Sequence, residues 1–304
     1  METKSYDVLI IGGGPAGSTA ALYLARYARK AVVVGKDLGA TCNAGEIENW
    51  PGTKSIPGME LVNNFQEHAK QYGADFVFAI TESIERTENG FALEVNDIRY
   101  EAKAVILANG TLHKKLEIPG EAEFVGKGVS YCATCDGMFF GDKDVVVIGG
   151  SDAAAKATLY LGDVAKNVTI IYRKSKLRCE AIYAKRIEEK ENINVIYNAT
   201  PEEILGEGKV KQIKIKVDEE EKLVDTDGVF VEIGALPCNK LSSSLGIACS
   251  GLGYVKVDNS MKTSVDGVFA AGDITDTPLK QIVTATGNGA IAAVSAHEYL
   301  QRLE

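Results

Sequence analysis

Two stretches of the chain share one pattern of apolar and polar positions. DVLIIGGGPAGSTAALYL at 7–24 recurs as DVVVIGGSDAAAKATLYL at 144–161, a constant 137 residues later. In each, an Asp precedes a short apolar run, then a glycine-rich turn, then a small-residue stretch with leucines at helical spacing, which predicts strand, turn and helix. A second apolar strand follows, AVVVG at 31–35 and VTIIY at 168–172, completing a parallel βαβ unit each time. A further echo, DGVFVEIG at 227–234 and DGVFAAG at 266–272, gives the duplicated module a duplicated end. The chain therefore leaves one nucleotide-binding domain, builds another, and returns to complete the first. The crossings fall in TLHKKLEIPG at 111–120 and CNKLSSSLG at 238–246, both rich in turn-forming residues. The expected fold is α/β, with two Rossmann-like domains of three layers (ββα). Residues 1–114 and 242–304 make the discontinuous first domain, and residues 115–241 the second.

A length of 304 residues with 45% hydrophobic content suits two cores. With 42 acidic against 33 basic residues the net charge is −9, so no broad basic field exists to hold nucleic acid or an anionic membrane. The opening METKSYDVLIIGGGPAG runs into a strand with no secretion-signal pattern, and every apolar run is cut by glycine or charge. A soluble cytoplasmic protein is expected.

Gly12, Gly14 and Gly17 form a complete GxGxxG between a strand and a helix. The first glycine permits the tight turn, the second lets backbone approach a pyrophosphate, and the third permits close helix packing. The acidic residue that often follows the second strand to hold a ribose is missing, since that strand ends Val34, Gly35, Lys36. In the second copy Gly149 and Gly150 are followed by Ser151, Asp152, Ala153 and Ala154. Ala154 fits the pattern, whereas the Ser151 side chain crowds the place where backbone should meet pyrophosphate. Arg173, Lys174, Lys176 and Arg178 then lie where a ribose phosphate would sit. They favour NADPH over NADH, or form a solvated basic loop.

Among six cysteines only Cys132 and Cys135 are closely spaced, in SYCATCDG. A CxxC pair suits a reversible disulfide, one sulfur being held as a thiolate of pKa about 7 or below. Zinc is the competing use but needs two more ligands, and neither a second CxxC nor a histidine pair among His68, His113 and His297 supplies them. Asp136, directly after the pair, is either a proton donor and acceptor for the thiols or a helix cap. Cys42, Cys179, Cys238 and Cys249 stand alone and are expected to be structural or neutral.

Taken together, GGGPAG at 12–17, ENWPG at 48–52, ANGT at 108–111, YCATCDG at 131–137, AAGD at 270–273 and KQIVTATGNGAIAA at 280–293 resemble the low-molecular-weight thioredoxin reductases, the class II FAD/NAD(P)-dependent pyridine nucleotide-disulfide oxidoreductases, over nearly the whole chain. The resemblance implies an enzyme in which NADPH reduces FAD, FAD reduces the Cys132/Cys135 disulfide, and the dithiol reduces a thioredoxin or glutaredoxin-like protein. It implies an FAD site lined by Gly12, Gly14, Pro15, Ala16, Gly17, Asn49, Ala108, Gly110, Gly272, Asp273, Gln281 and Ile282, and an NADPH site of Gly150, Ser151, Asp152, Ala153, Arg173, Lys174 and Arg178. By the same resemblance Cys135 faces the flavin, Cys132 forms the mixed disulfide, and Asp136 serves as acid and base; the cysteine and histidine spacing leads to no metal being expected. Members are homodimers whose nucleotide domain rotates, which makes 111–116 and 241–245 hinge candidates. Three departures stand out: GSDAA at 150–154 for the family's GGNTA, Tyr172, Arg173, Lys174 for its His-Arg-Arg, and Gly39, Ala40, Thr41, Cys42 for its GGQL. The first two motivate an alternative in which the donor is a reduced deazaflavin or ferredoxin. A flavin redox sensor without turnover is a second alternative, against which the CxxC argues. Ferredoxin-NADP reductases of the related type need no CxxC.

Overall fold

The computed structural model describes residues 2–43 and 46–304, with the side chains of Asn43, Glu46 and Cys135 outside that description. The chain divides into two compact units, Met1–Leu112 with Leu236–Glu304, and His113–Ala235. The strands of the two crossings, Thr111–His113 and Ala235–Pro237, run side by side as a two-stranded ribbon. The return falls earlier than the expected 241/242 because Leu241, 4% exposed, belongs to a core cluster of the first unit. Of the hinge candidate 241–245, Leu241 and its three neighbours up to Ser244 lie in the short helix Lys240–Ser244.

In the first unit Glu2–Ile11 lies between Ala31–Gly35 and Ile98–Leu107, parallel to both. Val8 and Ile10 face a core shared with Ala16, Ala20 and Leu24 of the helix Pro15–Arg26 and with Ala292 and Ala296 of the helix Ile282–Gln301. Leu9 and Ile11 face a second core with Phe91, Leu93 and Tyr100. Covered on both faces, its last four residues, 8–11, read as an unbroken apolar run. The two alanine-rich helices approach so closely that a Cβ on Gly289 would lie 2.2 Å from the Ala16 carbonyl oxygen, which only glycine allows.

The second unit has a wholly parallel sheet in the order Val129–Ser130, Gly228–Val231, Asp144–Ile148, Asn167–Ile171, Ile193–Ile196. Val145, Val147 and Phe230 face Ala154, Ala157 and Leu161 of the helix Asp152–Val164. Val146, Val229 and Val231 face Ile204, Ile213 and Ile215 of the antiparallel strands Ala199–Glu207, Lys209–Val217 and Glu220–Asp225. These are the three layers expected.

The echo at 227–234 and 266–272 does not mark matching places. Gly228–Val231 pairs directly with Asp144–Ile148, whereas Val268–Ala270 pairs with Ile98–Leu107, one strand removed from Glu2–Ile11. The true counterpart of Gly228–Val231 is the end of Ile98–Leu107. Ala108 N–H donates to the Ile11 carbonyl and Glu232 N–H to the Ile148 carbonyl, each at 2.8 Å. A short apolar strand buried on both faces has little to distinguish it from any other, so the similarity of letters misassigned the pair.

Glu121, 3% exposed, pins the segment after the first crossing. Its carboxylate accepts the N–H groups of Leu116 and Glu117, both at 2.7 Å, and the Tyr131 hydroxyl at 2.8 Å. Glu121→Leu strands three donors, and is expected to lower unfolding stability by about 3 kcal/mol in urea denaturation; a loss below about 1 kcal/mol would mean that water replaces the carboxylate.

Candidate functional site

In the first unit the chain reverses after Ile11 through Gly12, whose φ is +112 and whose Cβ would lie 2.3 Å from the Ala108 carbonyl oxygen. A Cβ on Gly17 would lie 1.9 Å from the Gly12 carbonyl oxygen. The turn is held by Gly12 N–H to the Val34 carbonyl (2.8 Å), and by Ser18 Oγ and Gln66 Nε2 donating to the Gly13 carbonyl (3.0 and 2.9 Å). Gly14 precedes the helix in an extended conformation with no side-chain cap, and Pro15 at the start has no N–H to satisfy. The first-turn N–H groups are left for an anion, at the positive end of the helix dipole.

Further residues of the expected FAD site lie in the same unit. Gly272, φ +77 and close to Ala16, opens the turn that places Asp273. Burial pushes the Asp273 carboxyl up, and Lys280 opposes that shift. Burial pushes Lys280 down; its ammonium bonds the Thr275 carbonyl and lies 4.5 Å over the Tyr254 ring. Asn49 Nδ2 donates to Gln281 Oε1 at 3.1 Å, Gln281 and Thr284 cap the helix Ile282–Gln301 reciprocally, and Ile282 packs on Ile47, Ile56 and Leu61. Gly110, φ +61, accepts the Cys238 N–H at 3.1 Å. Asn109 Oδ1 and Asn288 Oδ1 are buried with no hydrogen-bond partner among the described residues. A glycine cradle, an uncapped helix terminus and two orphaned polar atoms fit a dinucleotide such as FAD.

Asp37, two residues beyond Gly35, escaped the sequence reading, which stopped at the strand end. Its carboxylate accepts the Gly39 N–H at 2.8 Å, at the rim of the same turn. Cys42 donates its thiol to the Gly39 carbonyl at 3.0 Å. Burial pushes the thiols of Cys42, Cys179, Cys238 and Cys249 up, so none is primed as a nucleophile.

The second unit repeats two backbone bonds of the turn, while the side-chain bonds to the Gly13 carbonyl have no counterpart there among the described residues. Gly149 N–H meets the Ile171 carbonyl (3.1 Å), Ala155 N–H the Ser151 carbonyl (2.9 Å), and a Cβ on Gly149 would lie 2.3 Å from the Glu232 carbonyl oxygen. Ser151 occupies the place of Gly14 with φ −93, extended and without a side-chain cap bond, so the helix Asp152–Val164 also begins with open N–H groups. Tyr172, 8% exposed, covers Gly150, where a Cβ would be 2.5 Å from its ring. The basic loop is drawn over this turn by Arg178 N–H to the Gly150 carbonyl (2.7 Å) and Glu180 N–H to Asp152 Oδ1 (2.8 Å). Arg173, Lys174, Lys176 and Arg178 are exposed, and none makes an ion pair with a described residue.

The redox motif occupies the same unit. Cys132 is disulfide-bonded and half-buried; the side chain of Cys135 lies outside the described residues. Ser130 Oγ donates to Asp136 Oδ2 at 2.6 Å and accepts the Cys132 N–H at 3.0 Å. One hydroxyl thereby ties the carboxylate to the cysteine backbone, within the turn Ala133–Asp136. The sequence reading passed over Ser130, and also Met138 and Phe139, which stand 69% and 67% exposed just after the motif. Among the described residues no cluster of three or more metal-ligating side chains is present, and no helix is long and apolar enough to cross a membrane.

The sequence pattern of the pyridine nucleotide-disulphide oxidoreductase family matches residues 6–289. Thioredoxin reductase of Bacillus subtilis is 42% identical over 308 residues, covering 100% of this chain and 97% of that protein. Among solved structures, Lactococcus lactis thioredoxin reductase superposes with a TM-score of 0.95 at 38% identity, covering 98% of this chain and 99% of that one. T. acidophilum thioredoxin reductase gives 0.92 at 43% identity, covering 99% of each.

Proposed function

The chain belongs to the pyridine nucleotide-disulphide oxidoreductase family, and on that footing we propose that it is a thioredoxin reductase, an NADPH-dependent flavoenzyme that reduces a disulfide on a thioredoxin or glutaredoxin-like protein. The observation that carries this reading is the Cys132 disulfide set beside Asp136 and Ser130 in a unit that also holds a dinucleotide turn under a basic loop. FAD, when bound in the first unit, supplies a two-electron relay between hydride donor and disulfide. Gly14 and the first turn of Pro15–Arg26, including Ala16, would hold its diphosphate through backbone in the turn that Gly12 and Gly17 permit, with Asp273 and Gln281 orienting the rest. In the reduced protein the Cys132 thiolate attacks one sulfur of the partner's disulfide, forming a mixed disulfide, and the departing partner thiolate takes a proton from Asp136. The Cys135 thiol returns a proton to Asp136 and its sulfur attacks Cys132 Sγ of the mixed disulfide, expelling the partner's second sulfur as a thiolate and restoring the CxxC disulfide. Met138 and Phe139 offer the docking partner an apolar edge next to the exchange site. A homodimer in the cytoplasm, with no nucleic-acid or membrane partner, belongs to the same reading.

Anaerobic reduction of the purified yellow protein tests the donor. Rapid bleaching of the flavin by NADPH and not by NADH is expected, and replacing Arg173 and Lys174 together by Ser is expected to raise the NADPH requirement about tenfold or more, leaving any NADH reaction unchanged. Bleaching by dithionite but by neither nucleotide favours the second reading, in which a reduced deazaflavin or ferredoxin is the donor; Ser151 at the position that Gly14 holds in the first unit and Tyr172 over Gly150 motivate it.

A further inference from the structure

Glu232 stands at the most informative position of the second unit. From Asp144–Ile148 the sheet continues to Asn167–Ile171 and Ile193–Ile196 on one side, and to Gly228–Val231 and Val129–Ser130 on the other. The crevice at the carboxyl ends of the two central strands is thus the topological switch point, where open parallel sheets bind their ligands. Glu232 directly follows Gly228–Val231 at this lip, its N–H on the Ile148 carbonyl and its own carbonyl against Gly149. Two residues on from Phe230, it shares the face of the helix Asp152–Val164. Its counterpart in the first unit is Ala108, small and neutral, against Gly12. The duplication therefore puts a carboxyl where its twin has a methyl group, beside the helix N-terminus that would receive a diphosphate.

The carboxyl is half-buried and has no hydrogen-bond or ion-pair partner among the described residues. The charged and titratable groups on the surrounding elements are Asp152, whose carboxylate accepts the Glu180 N–H, Asp136 in its bond with Ser130, Arg173, Lys174, Lys176 and Arg178 in the basic loop, His113 at the end of the crossing strand and Lys114 just after it. Burial alone pushes Glu232 up, to about 7.

We propose that Glu232 is a specificity-determining residue for the electron donor: ionised, it opposes the diphosphate of a pyridine dinucleotide at the switch point, and neutral, it admits one. This rests on reading the second unit as the donor site. The sign follows from linkage. A bound diphosphate raises the carboxyl's pKa further, so binding takes up a proton and affinity falls as pH rises through about 7.

Titration of the flavin-loaded enzyme with NADP+ by calorimetry, at about pH 6 and about pH 8.5 at constant ionic strength, reads this directly. The wild type is expected to bind about tenfold more weakly at the higher pH. Glu232→Gln and Glu232→Ala should lose that difference and keep the tight binding; flavin content and thermal melting certify that both variants fold. Binding by the variants alone also supports the proposal. Equal pH ratios in wild type and variants overturn it while leaving the donor reading intact. No binding by any of the three proteins at either pH overturns the donor reading, and this proposal with it.

Discussion

Cys132→Ser is expected to lower turnover of a thioredoxin-like disulfide substrate by at least about a thousandfold, while the flavin is still bleached by its donor. A serine hydroxyl neither ionises near neutral pH nor forms a disulfide, so both exchange steps disappear together. The structural cost should be small. Cys132 is half-buried, and its backbone bond to Ser130 Oγ does not involve the sulfur. Stopped-flow bleaching and steady-state substrate reduction, measured on one preparation, separate the two half-reactions. Turnover surviving within tenfold of wild type would remove the dithiol from the mechanism and leave a flavin protein whose CxxC is regulatory.

The second large effect concerns Gly17. Gly17→Ala is expected to yield protein with little bound flavin and to destabilise the first unit by about 3 kcal/mol. The added Cβ would lie 1.9 Å from the Gly12 carbonyl oxygen, which is backbone inside a turn fixed by three hydrogen bonds. Retreat of the helix is the obvious remedy, and the second unit shows it working, since Ala154 occupies the equivalent position there. In the first unit the way is blocked. Gly289 and Gly272 press on Ala16 from the opposite side, with no room for a methyl group at Gly289. Flavin absorbance relative to protein absorbance, with urea denaturation, checks both halves. Normal flavin content would show that the clamp yields. The reciprocal Ala154→Gly change is expected to alter stability by less than about 1 kcal/mol.

Much of this was legible in the sequence because strand–turn–helix patterns are local. The two glycine turns, the parallel strands after them and the CxxC each lie within a few tens of residues, and periodicity with glycine placement identifies them. What sequence could not supply is which distant strand closes beside each turn. Ala108 and Glu232 look unrelated as letters, and only the matched bonds to Ile11 and Ile148 reveal their equivalence. Ser130 was missed for a similar reason: an isolated serine before a CxxC carries no pattern, and its role comes from the angle of the turn Ala133–Asp136 that returns Asp136 to it. Leu241 among serines read as linker because one apolar residue in a polar stretch has no periodicity to weigh, yet burial of that one side chain fixes the boundary.

The interruption of the first unit also orders the birth of the protein. The second unit, His113–Ala235, is contiguous, so its last strand exists once about three-quarters of the chain has been synthesised. The first unit begins earlier but waits for the helix Ile282–Gln301, which supplies Ala292 and Ala296 to the cluster of Val8 and Ile10. Contacts of such long sequence separation form slowly. During that interval the alanine face of Pro15–Arg26 is without its cover, and the nascent chain is most open to chaperones and to aggregation. Released chains truncated near residue 240 should therefore hold a folded second unit beside an unfinished first one, visible as protease resistance confined to the middle of the sequence.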